Sequence, residues 1–462
     1  MCDTLVAVGR ATRDGTVVFG KNSDRSPNES QPLVKHPRMN HEEPTVGCQN
    51  IEIPQVPVTY EHIGSRPYWL WGYEHGVNEL GVVIGNLGVR SKEPYETPAD
   101  RAGLIGMDLV RLGLERGTTS REAMEVITSL LEEHGAGFCV TPNVAKYHNN
   151  YMIADPDEAW VLETAGRYWV AKRVVDGVYH EGNMYSIQTE WDECHCDLVS
   201  HAVEMNWCES EEDFNFARVY TDFIGGHTPI AMVRNRRGEQ LLREHEGKIT
   251  PETMREILRD HLEGSFLESF WAPGENFYFS ICCHEKPWGG GQTAASMVVE
   301  LDKELPEPLK ASCWASMTAP CTSVFMPFYP KAVKVSEKLS IADGSYSDSS
   351  PWWVFKRLQR HTERNYPLLG EFTRKFWSGV EKGMMEQQSK VERGALRLIR
   401  DGDMVKALEQ IQKYVDHHSD ECVEQARRLN QTLHDIEKTA PSYRDLREAH
   451  LDSLNKQAGI EI

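Results

Sequence analysis

Three strand-like runs lie almost end to end between Tyr151 and Val174, and this spacing constrains the fold more than any other feature of the chain. The runs YMIAD (151–155), AWVLET (159–164) and RYWVAKRV (167–174) are rich in aromatic and β-branched residues. Only Asp155-Pro156-Asp157 and Ala165-Gly166 supply the turns between them. A parallel crossover needs a dozen or more residues, so these runs are expected to pair antiparallel. The N-terminus repeats the pattern: CDTLVAVG (2–9) and TVVFG (16–20) flank Asp14-Gly15, a hairpin signal. Further strands are predicted at 81–89, 277–283, 294–301 and 311–315. Helical periodicity runs from Arg101 to His134, broken at Gly117, with Thr119 and Ser120 as caps; Thr250-Pro251-Glu252 opens a helix over 250–262. Strands mixed with helices and few crossovers give an α+β class. After IADGSYSDSSP (341–351), apolar residues recur at three- and four-residue steps through 352–454. The expected division is a main domain over 2–340 and a helical C-terminal extension over 341–462.

Charge narrows the partners. With 70 acidic against 50 basic residues the net charge is −20, so nucleic acid and anionic membranes are not expected partners. No apolar run reaches membrane-helix length, and the start lacks a signal-peptide pattern. The 11 cysteines are an odd, scattered set, expected to be reduced thiols in a cytoplasmic protein. Cys194-His195-Cys196 with Cys208, and Cys282-Cys283-His284, do not have zinc-ribbon or finger spacing. They are assigned to a thiol-rich core, and no metal or organic cofactor is expected. Gly289-Gly290-Gly291 lacks the Gly-Lys-Ser/Thr ending of a phosphate loop. Tyr68, Trp69, Trp71 and Tyr73 could wall a pocket, though core packing is the commoner role.

Cys2 is the residue with chemistry to offer. Removal of Met1 leaves a thiol and a free α-amine on one residue. The amine has a reference pKa of about 7.7–8.0, so near neutrality it can accept the thiol proton, and one residue serves as nucleophile and base. The hairpin brings FGKNSDR (19–25) back toward Cys2. Lys21 there can favour the thiolate, and Asp24 can hold the amine.

The ordered set CDTLVAVG, FGKNSDRSPNE, GVNELGVVIGN, DPDEAWVLETAGRYWVAKRV, CCHEKPWGGGQTAASMVVEL and WASMTAPCTSVFMPFYP resembles the secernin and bacterial dipeptidase A family of cysteine N-terminal-nucleophile (Ntn) hydrolases. The likeness covers roughly residues 2–330. It implies an αββα sandwich of two antiparallel sheets, related to bile salt hydrolases and penicillin V acylases. Those relatives carry Arg–Asn–x–Asp where this chain has Lys21-Asn22-Ser23-Asp24. The resemblance implies that Asp24 binds the Cys2 amine, that Lys21 tunes nearby charge, and that Asn86 and Asn183 stabilise the oxyanion. Arg218, in FNFARVY, is the expected basic support from a later segment. The implied substrate is a small amide, a dipeptide foremost. An N-acyl amide hydrolase, an acyltransferase, a secernin-like interaction protein without catalysis, and a further-processed Cys2 stay open, as does a homo-oligomer.

Overall fold

The computed structural model describes residues 2–94, 103–138, 147–223, 229–268, 279–285, 291–331, 334–439 and 446–461. Cys2–Val8 and Val17–Arg25 form the expected hairpin, turned through Gly15 at φ +75°. The second strand runs further than TVVFG suggested, carrying Lys21, Asn22, Ser23 and Asp24 inside a ladder instead of a turn. Gly177–Glu181 pairs with Cys2–Val8, and Gln292–Leu301 pairs with Val17–Arg25. Ala311–Met317 and Met326–Phe328 complete a six-stranded sheet with the hairpin near its middle.

The second sheet has eight strands, in the order Glu193–Cys194, Tyr168–Val174, Ala159–Ala165, His148–Ala154, Val83–Val89, His75–Asn78, His62–Ser65 and Leu33–His36. Its centre holds the meander joined by Asp155-Pro156-Asp157 and Ala165-Gly166, and every pairing is antiparallel. The sheets face each other across an apolar layer that includes Val6, Phe19, Val83, Met152, Val161 and Val299. They approach closely at Gly85, where an added Cβ would lie 2.6 Å from the Lys21 side chain and 3.1 Å from Phe19.

Helices cover both outer faces. Gly106–Arg116 and Ser120–His134 lie on the eight-stranded sheet over Ile84, Tyr151, Trp160 and Leu162. Thr119 caps the second of them by accepting from Glu122 N at 3.1 Å, a contact worth about 1 kcal/mol. Pro229–Glu244 and Pro251–Leu258 lie on the six-stranded sheet, the latter capped by Thr250. Pro351–Arg364 follows on the same side, with Trp352 Nε1 donating to Ala294 O at 2.9 Å. Tyr366–Arg400 and Met404–Thr439 pack as a long helical pair, and Leu446–Ala458 ends the chain's helices. The layers are therefore αββα, and the C-terminal helices share one apolar core with the six-stranded sheet.

The strand predicted at 277–283 does not form among the described residues. Residues 277 and 278, like Gly289 and Gly290, lie outside the described residues. Residues 279–285 are irregular because their bonds go to a loop and their own turn: Cys282 N donates to Asp260 O at 3.1 Å, and Ser280 Oγ to Cys282 O at 2.7 Å. Tyr73 is core, Arg111 stacks 4.0 Å over Trp71, and Tyr68 is 39% exposed. Among the described residues no helix is long and apolar enough to cross a membrane.

Candidate active site

Strand pairing sorts the hairpin residues onto two faces. Cys2 pairs with Ser23 and Thr4 with Lys21; Asp3 pairs with Asn22, and Asp24 alternates with Ser23 onto that other side. The Cys2 face is turned toward the eight-stranded sheet, since Lys21 lies against Gly85. The Asp3 face is turned toward the helices, since Asn22 Nδ2 donates to Leu258 O at 2.8 Å and to Ile281 O at 3.0 Å.

Cys2 is buried, with each of its reactive atoms held by a different group. Its nitrogen lies 2.5 Å from Asn183 Oδ1, and Asn183 Nδ2 donates to Gly88 O at 2.7 Å. The Asp24 main-chain N–H donates to Cys2 Sγ at 3.4 Å. The Asp24 carboxylate is engaged elsewhere. Its Oδ2 accepts from Arg234 at 2.9 Å and its Oδ1 from Thr293 Oγ1 at 2.7 Å. A register shift between Thr293 and Ala295 sets Thr293 opposite Asp24, a bulge of the kind that re-aims a side chain beside a site.

Arg234, on the helix Pro229–Glu244, is fully buried and bridges Asp24 and Asp3. His180 Nε2 lies 3.2 Å from Asp3. One guanidinium thus faces two buried carboxylates, and their proton affinities separate. Burial raises Asp3, but Arg234 and His180 overcome this and hold it below the ordinary value. Asp24 is raised, because burial and the neighbouring Asp3 outweigh Arg234 and Thr293.

On the inner face Lys21 Nζ lies 3.7 Å from Glu74 Oε2, and Arg25 binds Glu74 Oε1 at 3.0 Å. Asn86 packs on the same carboxylate; with its amide nitrogen turned toward Glu74 it donates to Glu74 O at 3.0 Å and Oε2 at 2.8 Å. His75 is pushed well below its ordinary value by burial and then by the Lys21 charge, so it is neutral.

The structure gathers Cys2, Lys21, Asp24 and Asn183, and places Asn86 beside the Lys21 carboxylate partner. Two expected contacts are exchanged: Asn183 rather than Asp24 touches the Cys2 nitrogen, and the Asn86 amide faces Glu74. Arg218 lies elsewhere, exposed and paired with Asp213 at 2.7 Å. The buried arginine beside Asp24 is Arg234, hidden in the run RNRRGE (234–239) where charge suggests a solvated helix face. Its signal was Asp3, a carboxylate inside a strand otherwise apolar enough to be buried, which demands a cation. Glu74 and Thr293 gave no comparable signal.

The family model for peptidase family C69 matches residues 1–379. A probable dipeptidase A of Streptococcus pyogenes serotype M18 is 20% identical over 404 residues, covering 79% of this chain and 82% of its own. A dipeptidase of Bifidobacterium longum is 27% identical over 202 residues, 38% of this chain and 36% of its own. Among solved structures, penicillin V acylase of Agrobacterium tumefaciens superposes with TM-score 0.41 at 13% identity, over 71% of this chain and 86% of that one. A mutant conjugated bile acid hydrolase of Clostridium perfringens gives TM-score 0.37 at 14% identity, over 69% and 89%. On the family match, which spans most of its length, the chain belongs to peptidase family C69, a family of amide-bond hydrolases.

Proposed function

We propose that this hydrolase is a cysteine N-terminal-nucleophile dipeptidase whose nucleophile is Cys2, exposed when Met1 is removed. One observation carries the reading: separate groups hold the two atoms the mechanism needs, Asn183 Oδ1 at the Cys2 nitrogen and the Asp24 N–H at the Cys2 sulfur. Once the nitrogen is an amine, the same Asn183 oxygen accepts one of its hydrogens and aims its lone pair toward the thiol.

The amine takes the thiol proton, and Sγ attacks the substrate amide carbon. The collapsing tetrahedral intermediate expels the leaving amine, which takes that proton from the Cys2 ammonium. Water, deprotonated by the freed amine, then hydrolyses the thioester and releases the acid. Lys21 supplies positive charge on the Cys2 face of the hairpin, beside Glu74, which Asn86 in turn holds. Arg234 fixes Asp24 so that its main-chain N–H stays on the sulfur.

Intact-mass measurement gives the first test: the mature chain is expected to lack Met1. A panel of dipeptides against N-acyl amino acids, with and without an acceptor amine, gives the second. Turnover of dipeptides to free amino acids supports the proposal; a mature chain retaining Met1, or labelling by an electrophilic amide probe at another cysteine, overturns it.

A further inference from the structure

Behind the hairpin, on the side away from Cys2, four buried side chains converge: His261, Cys282, His284 and Cys321, with ligand atoms all within 4.8 Å of one another. They come from three separate stretches, 23, 2 and 37 residues from His284. His284 Nε2 lies 3.2 Å from His261 Nε2, 3.5 Å from Cys282 Sγ and 3.2 Å from Cys321 Sγ. Four ligands at ordinary zinc bond lengths on a tetrahedron would stand about 3.3 Å apart for two nitrogens and about 3.5 Å for nitrogen and sulfur. The three edges at His284 lie within about 0.3 Å of those values.

The outer contacts point the same way. His284 Nδ1 lies 2.7 Å from Glu363 Oε1, and His261 Nδ1 lies 3.5 Å from Glu263 Oε1. A carboxylate accepts, so the His284 ring carries a proton on Nδ1 and turns its Nε2 toward the cluster. Two ring nitrogens and two sulfurs converging on one point are the ligand types and number of a tetrahedral zinc site. Carboxylate–histidine pairing behind a metal ligand is the usual way to fix such a ring. The other group, His195, Cys196 and Asp197, offers three ligands, two of them exposed, and His195 Nδ1 accepts from Asp197 N at 3.0 Å.

We infer that His261, Cys282, His284 and Cys321 bind one zinc ion in a closed, structural Cys2His2 site. All four positions are filled by protein and buried, which leaves none for water or substrate. The ion would staple the chain after the helix Pro251–Leu258 and the 279–285 segment to the loop after Ala311–Met317. Through Glu363 it would also tie in the helix Pro351–Arg364. Those staples reach the active hairpin: Asn22 bonds Leu258 O and Ile281 O, and Cys283 N donates to Thr293 Oγ1 at 3.0 Å, which in turn holds Asp24.

The test reads metal directly and does not depend on turnover. The full chain, expressed with zinc in the medium and purified without chelator, is expected to carry about one zinc per chain by mass spectrometry of the elements. A Cys282→Ser/Cys321→Ser variant is expected to carry less than about a tenth of that. Because that variant could fail to fold, cobalt(II) is exchanged into the wild-type protein as well. Tetrahedral d–d bands with thiolate-to-cobalt charge transfer are expected. Wild-type protein without stoichiometric zinc and without those bands, or a folded variant that keeps its zinc, overturns the inference. So does stoichiometric iron or copper in place of zinc.

Discussion

The two faces of the N-terminal hairpin are made from alternate residues of the same strands, yet they are built to opposite ends. On the outward face each hairpin side chain is committed: Asp3 and Asp24 to Arg234, Asp24 also to Thr293, and Asn22 to two carbonyls and to Ser296. On the inward face the commitments are few. Cys2 has one contact on nitrogen and one on sulfur, and Lys21 Nζ stands 3.7 Å from Glu74 with no hydrogen bond among the described residues. The difference teaches how a strand can hold a thiol in place without using up its sulfur and nitrogen. Rigidity is anchored on the far side, and the near side stays free to exchange partners with a substrate.

Removing the proposed nucleophile should break this division most severely. Cys2→Ala is expected to lower kcat on any dipeptide substrate at least about 10⁴-fold while leaving the melting temperature within a few degrees, since the anchoring lies outward. A variant retaining a hundredth of wild-type activity would put the chemistry on another residue.

The outward face should fail differently, through stability. Arg234→Met leaves Asp3 and Asp24 buried with no shared cation, at a cost of about 3–5 kcal/mol. Urea unfolding measures it. Adding Asp24→Asn to Arg234→Met should recover part of the loss, because one of the two stranded charges is gone. A double variant no more stable than Arg234→Met would mean that the guanidinium acts by packing alone.

How much of this was legible depends on whether the signal was local. The hairpin, the meander and the capped helices were readable because turn residues, caps and apolar period sit within a few positions of one another, as at Asp14-Gly15 and Thr250-Pro251. Cys2, Lys21 and Asp24 were readable because one hairpin brings them together. Arg234 and Glu74 were not, because only the folded layers set them against the hairpin. The four converging ligands were missed for a related reason. Cys282-Cys283-His284 stands out in the chain, but His261 and Cys321 come from loops that no local pattern links to it. Residues 279–283 misled as a strand because their β-rich composition serves a buried irregular segment.

Acid should separate the two outward carboxylates by smaller amounts. Asp3 is held below the ordinary carboxyl value, so it adds stability that is full above its unfolded pKa of about 3.9 and is lost as pH falls through the folded value. Asp24 is raised, so its sign is reversed: it subtracts stability above its folded value, and that cost fades as pH falls. Stability measured from pH 7 down to about 3 should therefore fall less steeply in Asp3→Asn than in wild type, and more steeply in Asp24→Asn. Identical slopes in all three proteins would show that Arg234 does not discriminate between its two partners.

Arg218 supplies the smallest effect and the sharpest control on Arg234. Both are arginines paired with aspartate, but Arg218 is exposed and its partner Asp213 is on the surface. An exposed pair is worth about 0–1 kcal/mol, and Arg218→Ala leaves no buried charge behind. Its stability should stay within about 0.5 kcal/mol of wild type and its kcat/KM within about twofold, a difference of about 0.4 kcal/mol. Thermal melts and dipeptide kinetics on Arg218→Ala and Arg234→Met side by side would measure burial as the variable, since charge and residue type are the same. A tenfold loss of kcat/KM at Arg218 with unchanged melting would instead mean that the short helix Phe216–Tyr220 acts on the substrate, and that the site extends past the two faces of the hairpin.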